Sequence, residues 1–382
     1  MKRVSLKLTT LVMLLGVAVT GSYAQSNQIN VVTSAVPFLR ITPDARSGGM
    51  GDAAIAVSPD ANASFSNVAK TVFNSSKTGL AVNYVPWLRD LAVNDVYLAS
   101  LSGFYKVDDE SAISASLRYF SLGNIEFTDN SGNYLSTYRP REFAFDAAYS
   151  RKLSSKNSLG IALRYINSSL AKGSYGTSTT VYKAGSAVAG DLHFYHHGAK
   201  ENGQGFNWGV TLSNLGSKIS YTSDANQKDY IPANIGIGGA YTKVFDESNK
   251  ITFAADLHKL LVPTPPAVGD SAGLAKYRSQ GVVSSWFKSF GDAPNKITEE
   301  LEEINFALGL EYWYNNQFAF RAGYFYENPN KGNRKFFSVG AGLKYNVFGL
   351  NFAYLFPSGS GVNRNPLSNT YRFGLVFDFD AK

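Results

Sequence analysis

The sequence predicts an all-β protein: a transmembrane antiparallel β-barrel of fourteen strands with an N-terminal plug. Three observations carry that expectation. Charged residues are only 17% of the 382 residues, while aromatics reach 14% and glycine supplies 35 more; soluble globular chains carry ~25% charge. From Gly79 onward, segments of about ten residues alternate large apolar side chains with small or polar ones, the period of a two-faced strand. The connections between these segments alternate short and long, as the turns and outer loops of an outer-membrane barrel do. Mean hydropathy is −0.14, which excludes a bundle of membrane helices. The absence of cysteine excludes disulfides, thiolate zinc sites, cysteine nucleophiles and lipoprotein anchoring.

The chain opens with Lys2, Arg3 and Lys7, then an apolar run from Leu8 to Val19, then Ser22-Tyr23-Ala24. A basic start, a short apolar core and a small-residue site predict a secretory signal peptide over residues 1–24, cut after Ala24. The run is too short for a spanning helix, which needs ~20 residues. Without those three cations the formal charge of +7 falls to +4, and no Lys/Arg block remains to suggest nucleic-acid binding.

Residues 25–78 lack strand periodicity and are rich in small residues, Gly, Pro and Asp. Fourteen strands leave a lumen wider than side chains alone can fill, so this segment is expected to be a hatch inside the barrel. A periplasmic extension is the alternative.

The barrel is expected over residues 79–382. Ile113, Ala115, Leu117 and Tyr119 alternate with Ser114, Ser116 and Arg118. Phe143, Phe145, Ala147 and Tyr149 alternate with Ala144, Asp146 and Ala148, and Phe337, Val339, Ala341, Leu343 and Tyr345 flank Ser338, Gly340, Gly342 and Lys344. One face is aromatic and aliphatic; the other is too small and too sparsely charged for a solvated exterior. It suits a lumen, with the apolar face towards lipid. Strands are expected to start near residues 79, 93, 110, 134, 157, 185, 205, 231, 249, 303, 317, 334, 348 and 370. Tight turns follow most even-numbered strands, among them Asp246-Glu247-Ser248 and Asn315-Asn316; the longer connections are 122–133, 170–184, 219–230, 263–302 and 357–369. Tyr84, Trp87, Tyr105, Tyr119, Tyr149, Tyr165, Tyr241, Trp313 and Tyr345 fall near strand ends, where interfacial girdles form.

The stretch FLRITPDARSGGMGDAAIAVSPDANASFSNVAK, followed by NYVPWLRD and closed by the C-terminal FGLVFDFD, resembles the PorV (LptO) family, within the PorV/PorQ group of outer-membrane barrels of the type IX secretion system. Pro43-Asp44-Ala45-Arg46 and Gly49-Met50-Gly51-Asp52-Ala53 are its more specific elements. Asn67-Val68-Ala69-Lys70 departs from it, since relatives generally read Asn-Pro-Ala, and the loss of that proline is expected to loosen one turn. The resemblance implies a FadL-like fourteen-stranded barrel with an N-terminal hatch, no enzymatic activity and no cofactor. It also implies partners: the giant type IX translocon barrel, the C-terminal signal domains of secreted cargo, and a cell-surface attachment complex with its signal-removing protease. Outer-membrane lipid surrounds such a barrel, and no nucleic acid is involved.

Other chemistry is sparse. Asp191, His193 and His197 share a strand face, but i and i+4 on a strand stand about 13 Å apart, too far for one metal ion. Asp108-Asp109-Glu110 falls in a turn, where solvated charge is the ordinary reading. Gly236-Ile237-Gly238-Gly239 lacks the following helix of a phosphate loop. A lipid A deacylase, suggested by the alternative family name, needs Ser and His to meet across strands, and no Ser–His–Asp set can be assembled from spacing. In the long loop, Val282, Val283, Trp286, Phe287 and Phe290 form an apolar helical stripe, followed by an acidic helical segment with Glu299, Glu300, Glu302 and Glu303. Part of the stripe is expected to pack on the rim, with Trp286, Phe287 and Phe290, together with Trp87, as candidate partner-binding residues. Lumen charge is balanced, Arg118, Arg164, Arg321 and Lys344 against Asp146, Asp256, Glu311 and Asp378. These charges are expected to pair with the hatch through Asp44, Arg46 and Asp52. The leading functional expectation is a non-enzymatic cargo receptor and shuttle; the alternative is a FadL-like uptake channel for hydrophobic compounds.

Overall fold

The computed structural model describes residues 31–88, 95–128, 131–174, 180–224, 227–267, 269–358 and 369–379. The expected signal peptide lies outside the described residues. Among them, no helix is long and apolar enough to cross a membrane.

The strands are β1 (Thr78–Pro86), β2 (Val96–Lys106), β3 (Ser111–Leu122), β4 (Ile125–Thr128), β5 (Tyr134–Tyr138), β6 (Arg141–Lys152), β7 (Asn157–Ser169) and β8 (Gly185–His196). They continue as β9 (Gly205–Gly216), β10 (Asn234–Val244), β11 (Asn249–Leu260), β12 (Asn305–Tyr314), β13 (Phe318–Tyr326), β14 (Lys335–Tyr345), β15 (Phe348–Pro357) and β16 (Thr370–Phe379). Backbone groups facing lipid have no water to bond, so a spanning sheet must close. It does: β1 pairs antiparallel with both β2 and β16, and fourteen strands form one closed barrel. β4 and β5 form a separate two-stranded hairpin in the outer connection between β3 and β6. This corrects the fourth expected strand. Its alternating start near 134 belongs to β5, and the spanning strand begins at Arg141. Period-two alternation marks both alike and cannot tell a spanning strand from a loop hairpin.

The faces sort as chemistry requires. Leu80, Val82, Leu117, Phe145, Leu163, Phe320 and Phe373 point outward and are exposed, while Asn83, Ser102, Ser116, Asp146, Arg164, Glu311 and Arg372 point inward and are buried. At the turn end, Asn315 and Asn316 both adopt φ 53°. That left-handed pair closes a two-residue hairpin whose twist matches the strands.

Residues 31–77 fold inside the barrel as short helical turns: 3-10 turns at Pro37–Arg40, Ala63–Phe65 and Val68–Phe73, and helix α1 (Ala45–Gly49). Two apolar clusters fix them. Val36, Phe38 and Leu39 pack against Leu98, Phe120 and Ile166 near the loop end, and Met50, Ala53 and Val57 pack against Ala254, Ala307 and Phe336. The wall admits the hatch closely where it has no side chain. A Cβ on Gly323 would lie 2.0 Å from the backbone nitrogen of Gly51, itself at φ 65°. Gly323→Ala is therefore expected to lift the Gly48–Asp52 tip and give a steady current in planar bilayers. Ala322→Gly, on the exposed face, should leave the barrel silent.

Candidate functional site

Between the two apolar clusters, hatch and wall meet through buried polar and charged side chains. Asp44 caps α1 by accepting the Ser47 N–H at 2.7 Å, the usual role of Asp ahead of a helix. That start aims Arg46 at β12, where its Nε and Nη2 donate to Glu311 at 2.9 and 2.7 Å. The same guanidinium reaches Asp60 and the Ser58 carbonyl, each at 3.0 Å. Glu311 also accepts from Arg321 Nε at 2.7 Å, so one buried carboxylate lies between two guanidiniums. Charge-assisted, forked pairs of this kind are strong and directional. Asp52 pairs with Arg372. Asp256 accepts the Ala54 and Ile55 amides at 2.6 and 2.9 Å, Ser102 donates to the Ala61 carbonyl at 2.8 Å, and Ser158 donates to the Ala69 carbonyl at 2.6 Å. The bonds come from strands around the whole circumference.

The second feature is the outer connection between β11 and β12, which carries helices α2 (Ser271–Ser279), α3 (Val282–Lys288) and α4 (Lys296–Glu302). Its amphipathicity is inverted. Glu299, Glu300 and Glu303 are buried; Lys259 Nζ lies 2.9 Å from Glu300, and Lys331 Nζ lies 2.6 Å from Glu299 and 3.0 Å from Glu303. Ser285 and Ser289 are buried as well. The apolar side chains face out: Phe287 is 74% exposed, Ile297 74%, Leu301 62%, Val283 58% and Phe290 53%. These side chains are therefore open rather than packed as a core.

The ion pairs predict how the loop responds to acid. Burial pushes the Glu299 carboxyl up, but the Lys331 ammonium and the Asn295 N–H together hold it below the ordinary glutamate value. A carboxyl lowered on folding stabilises above its unfolded pKa, and that contribution is lost as pH falls through the folded one. The Glu299 contacts with Lys331 and Asn295 are thus expected to weaken below the ordinary glutamate range while the barrel persists. Hydrogen exchange over residues 269–304, followed against pH, would show it; uniform protection down to the acid unfolding of the barrel would count against it.

A family model described as "Type IX secretion system protein PorV" matches residues 23–267. The chain belongs to the PorV family. Similar solved structures include the "TodX deltaS2S3 mutant monoaromatic hydrocarbon channel", with TM-score 0.53, 14% identity, and 88% of this chain and 99% of that one covered. The Ralstonia pickettii toluene transporter TbuX aligns with TM-score 0.52 and 9% identity over 87% of this chain and 96% of its own. Likeness at such identity shows the fold alone. No curated protein matches the chain. This PorV-family chain is thus a closed, FadL-like outer-membrane barrel and a component of type IX secretion.

Within the PorV-family barrel, the candidate hatch contacts divide. Arg46 and Arg321 meet at Glu311, and Asp52 meets Arg372. Arg118 donates to the Leu39 carbonyl of the hatch at 2.9 Å. Asp44 stays within the hatch as a cap, and Arg164 pairs inside the wall with Asp146 and with Asp191 at 2.9 Å. Among the candidate partner residues, Phe287 and Phe290 are open and Trp286 is half-buried. Trp87 is also half-buried and packs edge-on against the buried Phe120 at 5.3 Å, so its ring belongs to the hatch cluster. Trp313 likewise leaves the expected girdle: it has the strand parity of Glu311 and lies beneath the Arg321 guanidinium at 5.6 Å. Position near a strand end suggested the girdle; parity decides the face.

The histidines are ordinary. His193 Nδ1 accepts the Val68 N–H at 2.9 Å, His196 bonds Asn157 at 2.8 Å, and His197 stacks on Phe73. Among the described residues no three His, Cys, Asp or Glu are grouped to hold a metal. The Val68 bond also corrects the expectation of a loosened turn. A proline there would have no N–H to give, whereas Val68 ties the turn to the wall and the Asn67 side chain caps it from within. Gly236 and Gly238 face Ile55 of the hatch. Glu327 and Arg372 are site residues that spacing did not single out, because their hatch partners Arg40 and Asp52 lie about 300 residues away in sequence. Asp60 and Lys70, whose Nζ donates to the Ala54 carbonyl at 2.7 Å, bond within the hatch and carried no periodic signal.

Proposed function

We infer that this protein is a non-enzymatic cargo receptor and shuttle of type IX secretion. It binds the C-terminal signal domain of secreted proteins at the giant translocon barrel and delivers them to the cell-surface attachment complex and its signal-removing protease. The observation carrying this reading is the inverted outer loop, where buried Lys–Glu pairs hold open a surface headed by Phe287 and Phe290. Exposed aromatics commonly anchor protein interfaces. Residues 1–24 serve as the export signal and are removed after Ala24, and residues 25–78 act as the hatch.

Uptake of hydrophobic compounds is the second reading, favoured by the fold shared with hydrocarbon channels. Fold does not fix function, and a lumen filled with ion pairs is a poor path for a hydrocarbon. A strain lacking the protein separates the two. Cargo accumulating with uncleaved C-terminal signals supports the shuttle; normal secretion with a growth defect confined to hydrophobic substrates would reject it.

A further inference from the structure

A cavity of about 140 Å³ lies between the hatch and the outer part of the lumen wall. Asn234, His258 and Asn305, at the loop ends of their strands, and Arg334, just before β14, form one side, and Ser64–Ser66 of the hatch form another. The lining holds two unmet needs of opposite kind. Arg118, 4% exposed, gives Nη1 to the Leu39 carbonyl and lies 4.9 Å from the Phe65 ring, yet its Nε has no acceptor. Among the described residues it has no ion-pair partner, while Arg164 beside it has two. On β11, Asp256 commits Oδ2 to two hatch amides and leaves Oδ1 without a donor, and Asn305 Oδ1 is also without one. Arg40 and Arg334 share the single carboxylate of Glu327, at 3.0 and 2.8 Å, which leaves one positive charge over.

Burying an unpaired guanidinium is costly unless something completes it. We propose that this cavity takes the free C-terminal end of a polypeptide, with the α-carboxylate on Arg118 and the adjoining N–H groups towards Asp256 and Asn305. A phosphate would satisfy Arg118 but presents one compact group to a site whose unmet acceptors lie on other strands, and a hydrocarbon would satisfy neither. The volume is several times the ~30 Å³ share of one water, enough for a chain end and far too small for a folded domain. The identity of that chain, the end of a cargo signal domain, rests on the shuttle reading above. Forked carboxylate–arginine bonds supply specificity as well as affinity, so the site would distinguish a cargo terminus from an internal segment.

Titration calorimetry on the full-length protein in detergent tests this, with a purified type IX C-terminal signal domain as probe, once with a free carboxylate and once C-terminally amidated. Amidation is expected to weaken binding at least tenfold. Arg118→Gln should lower the free form to the amidated affinity and leave the amidated form unchanged, and Arg118→Lys should recover part of the difference. Equal affinity of both forms for the unmodified protein would overturn the site and leave the shuttle reading intact, and it needs no variant that might misfold. Binding of neither form would remove the shuttle reading and the peptide assignment together. Free L-alanine that binds in an Arg118-dependent way, without competing with the signal domain, would assign the cavity to small zwitterions and overturn the peptide end.

Discussion

Replacing Glu311 by alanine is expected to unseat the hatch and turn a silent barrel into a conducting one. Glu311 is buried and is the carboxylate shared by Arg46 of the hatch and Arg321 of the wall. Its loss leaves two guanidiniums facing each other; Arg46 keeps Asp60, and Arg321 keeps a bond to Asn351 at 3.0 Å. Breaking a buried pair on one side costs about 3–5 kcal/mol, because the remaining charge stays desolvated. Here Arg321 loses its carboxylate and is left facing Arg46, so the hatch is pushed off the wall as well as released. Arg46→Met should do less, since Glu311 and Arg321 remain a one-to-one pair. Single-channel recording in planar bilayers gives the ranking: no steady current for the unmodified protein, a small or intermittent one for R46M, and a large one for E311A. A silent E311A barrel would mean that the apolar clusters around Phe38 and Met50 hold the hatch alone.

The second large effect concerns binding with no change in the barrel. Phe287 and Phe290 are mostly exposed, so their truncation to alanine removes little buried area and should leave heat stability in detergent unchanged. Anchor residues at interfaces are worth about 2 kcal/mol or more each, so each single variant is expected to lose about thirtyfold in affinity for its partner and the double variant several hundredfold. Trp286→Ala should behave differently, because its half-buried ring supports the helix as well as facing out. The two kinds of variant separate on one pair of measurements: co-isolation with the translocon, and the melting midpoint of the purified barrel. Full co-isolation of the Phe287→Ala/Phe290→Ala protein would take this loop out of the interface.

Much of the fold was legible because a lipid-facing sheet leaves few choices. Side chains alternate every residue, so Leu117 and Arg118 declare opposite faces without any knowledge of neighbours, and closure follows from the need to pair every edge. Tight turns are legible for a similar reason: Asn315-Asn316 carries its own left-handed preference. The misreadings share a different cause. β5 alternates as a spanning strand does, yet it pairs only with β4. Trp87 and Trp313 stand near strand ends, but a turn of the chain in one case and parity in the other bring them inward. In the outer loop the stripe was visible and its direction was not. Glutamates usually face water, and only the distant Lys259 and Lys331 make burial of Glu299, Glu300 and Glu303 tolerable. The hatch contacts were partly legible: Arg46 and Arg321 stood out as charges in small-residue surroundings. That Arg321 meets Glu311 follows from the register of the β12–β13 hairpin, whereas Arg46 reaches it from more than 260 residues away only because the hatch folds inside the barrel.

We have proposed that a sealed barrel works through its outer loops on protein cargo. The most direct measurement is affinity isolation of the full-length protein from outer membranes in mild detergent, with the co-isolated proteins identified by mass spectrometry. The claim predicts a giant barrel partner together with secreted proteins that still carry their C-terminal signal domains, both depleted when Phe287 and Phe290 are replaced. Recovery of the barrel with bound hydrophobic small molecules and no signal-bearing protein would contradict it.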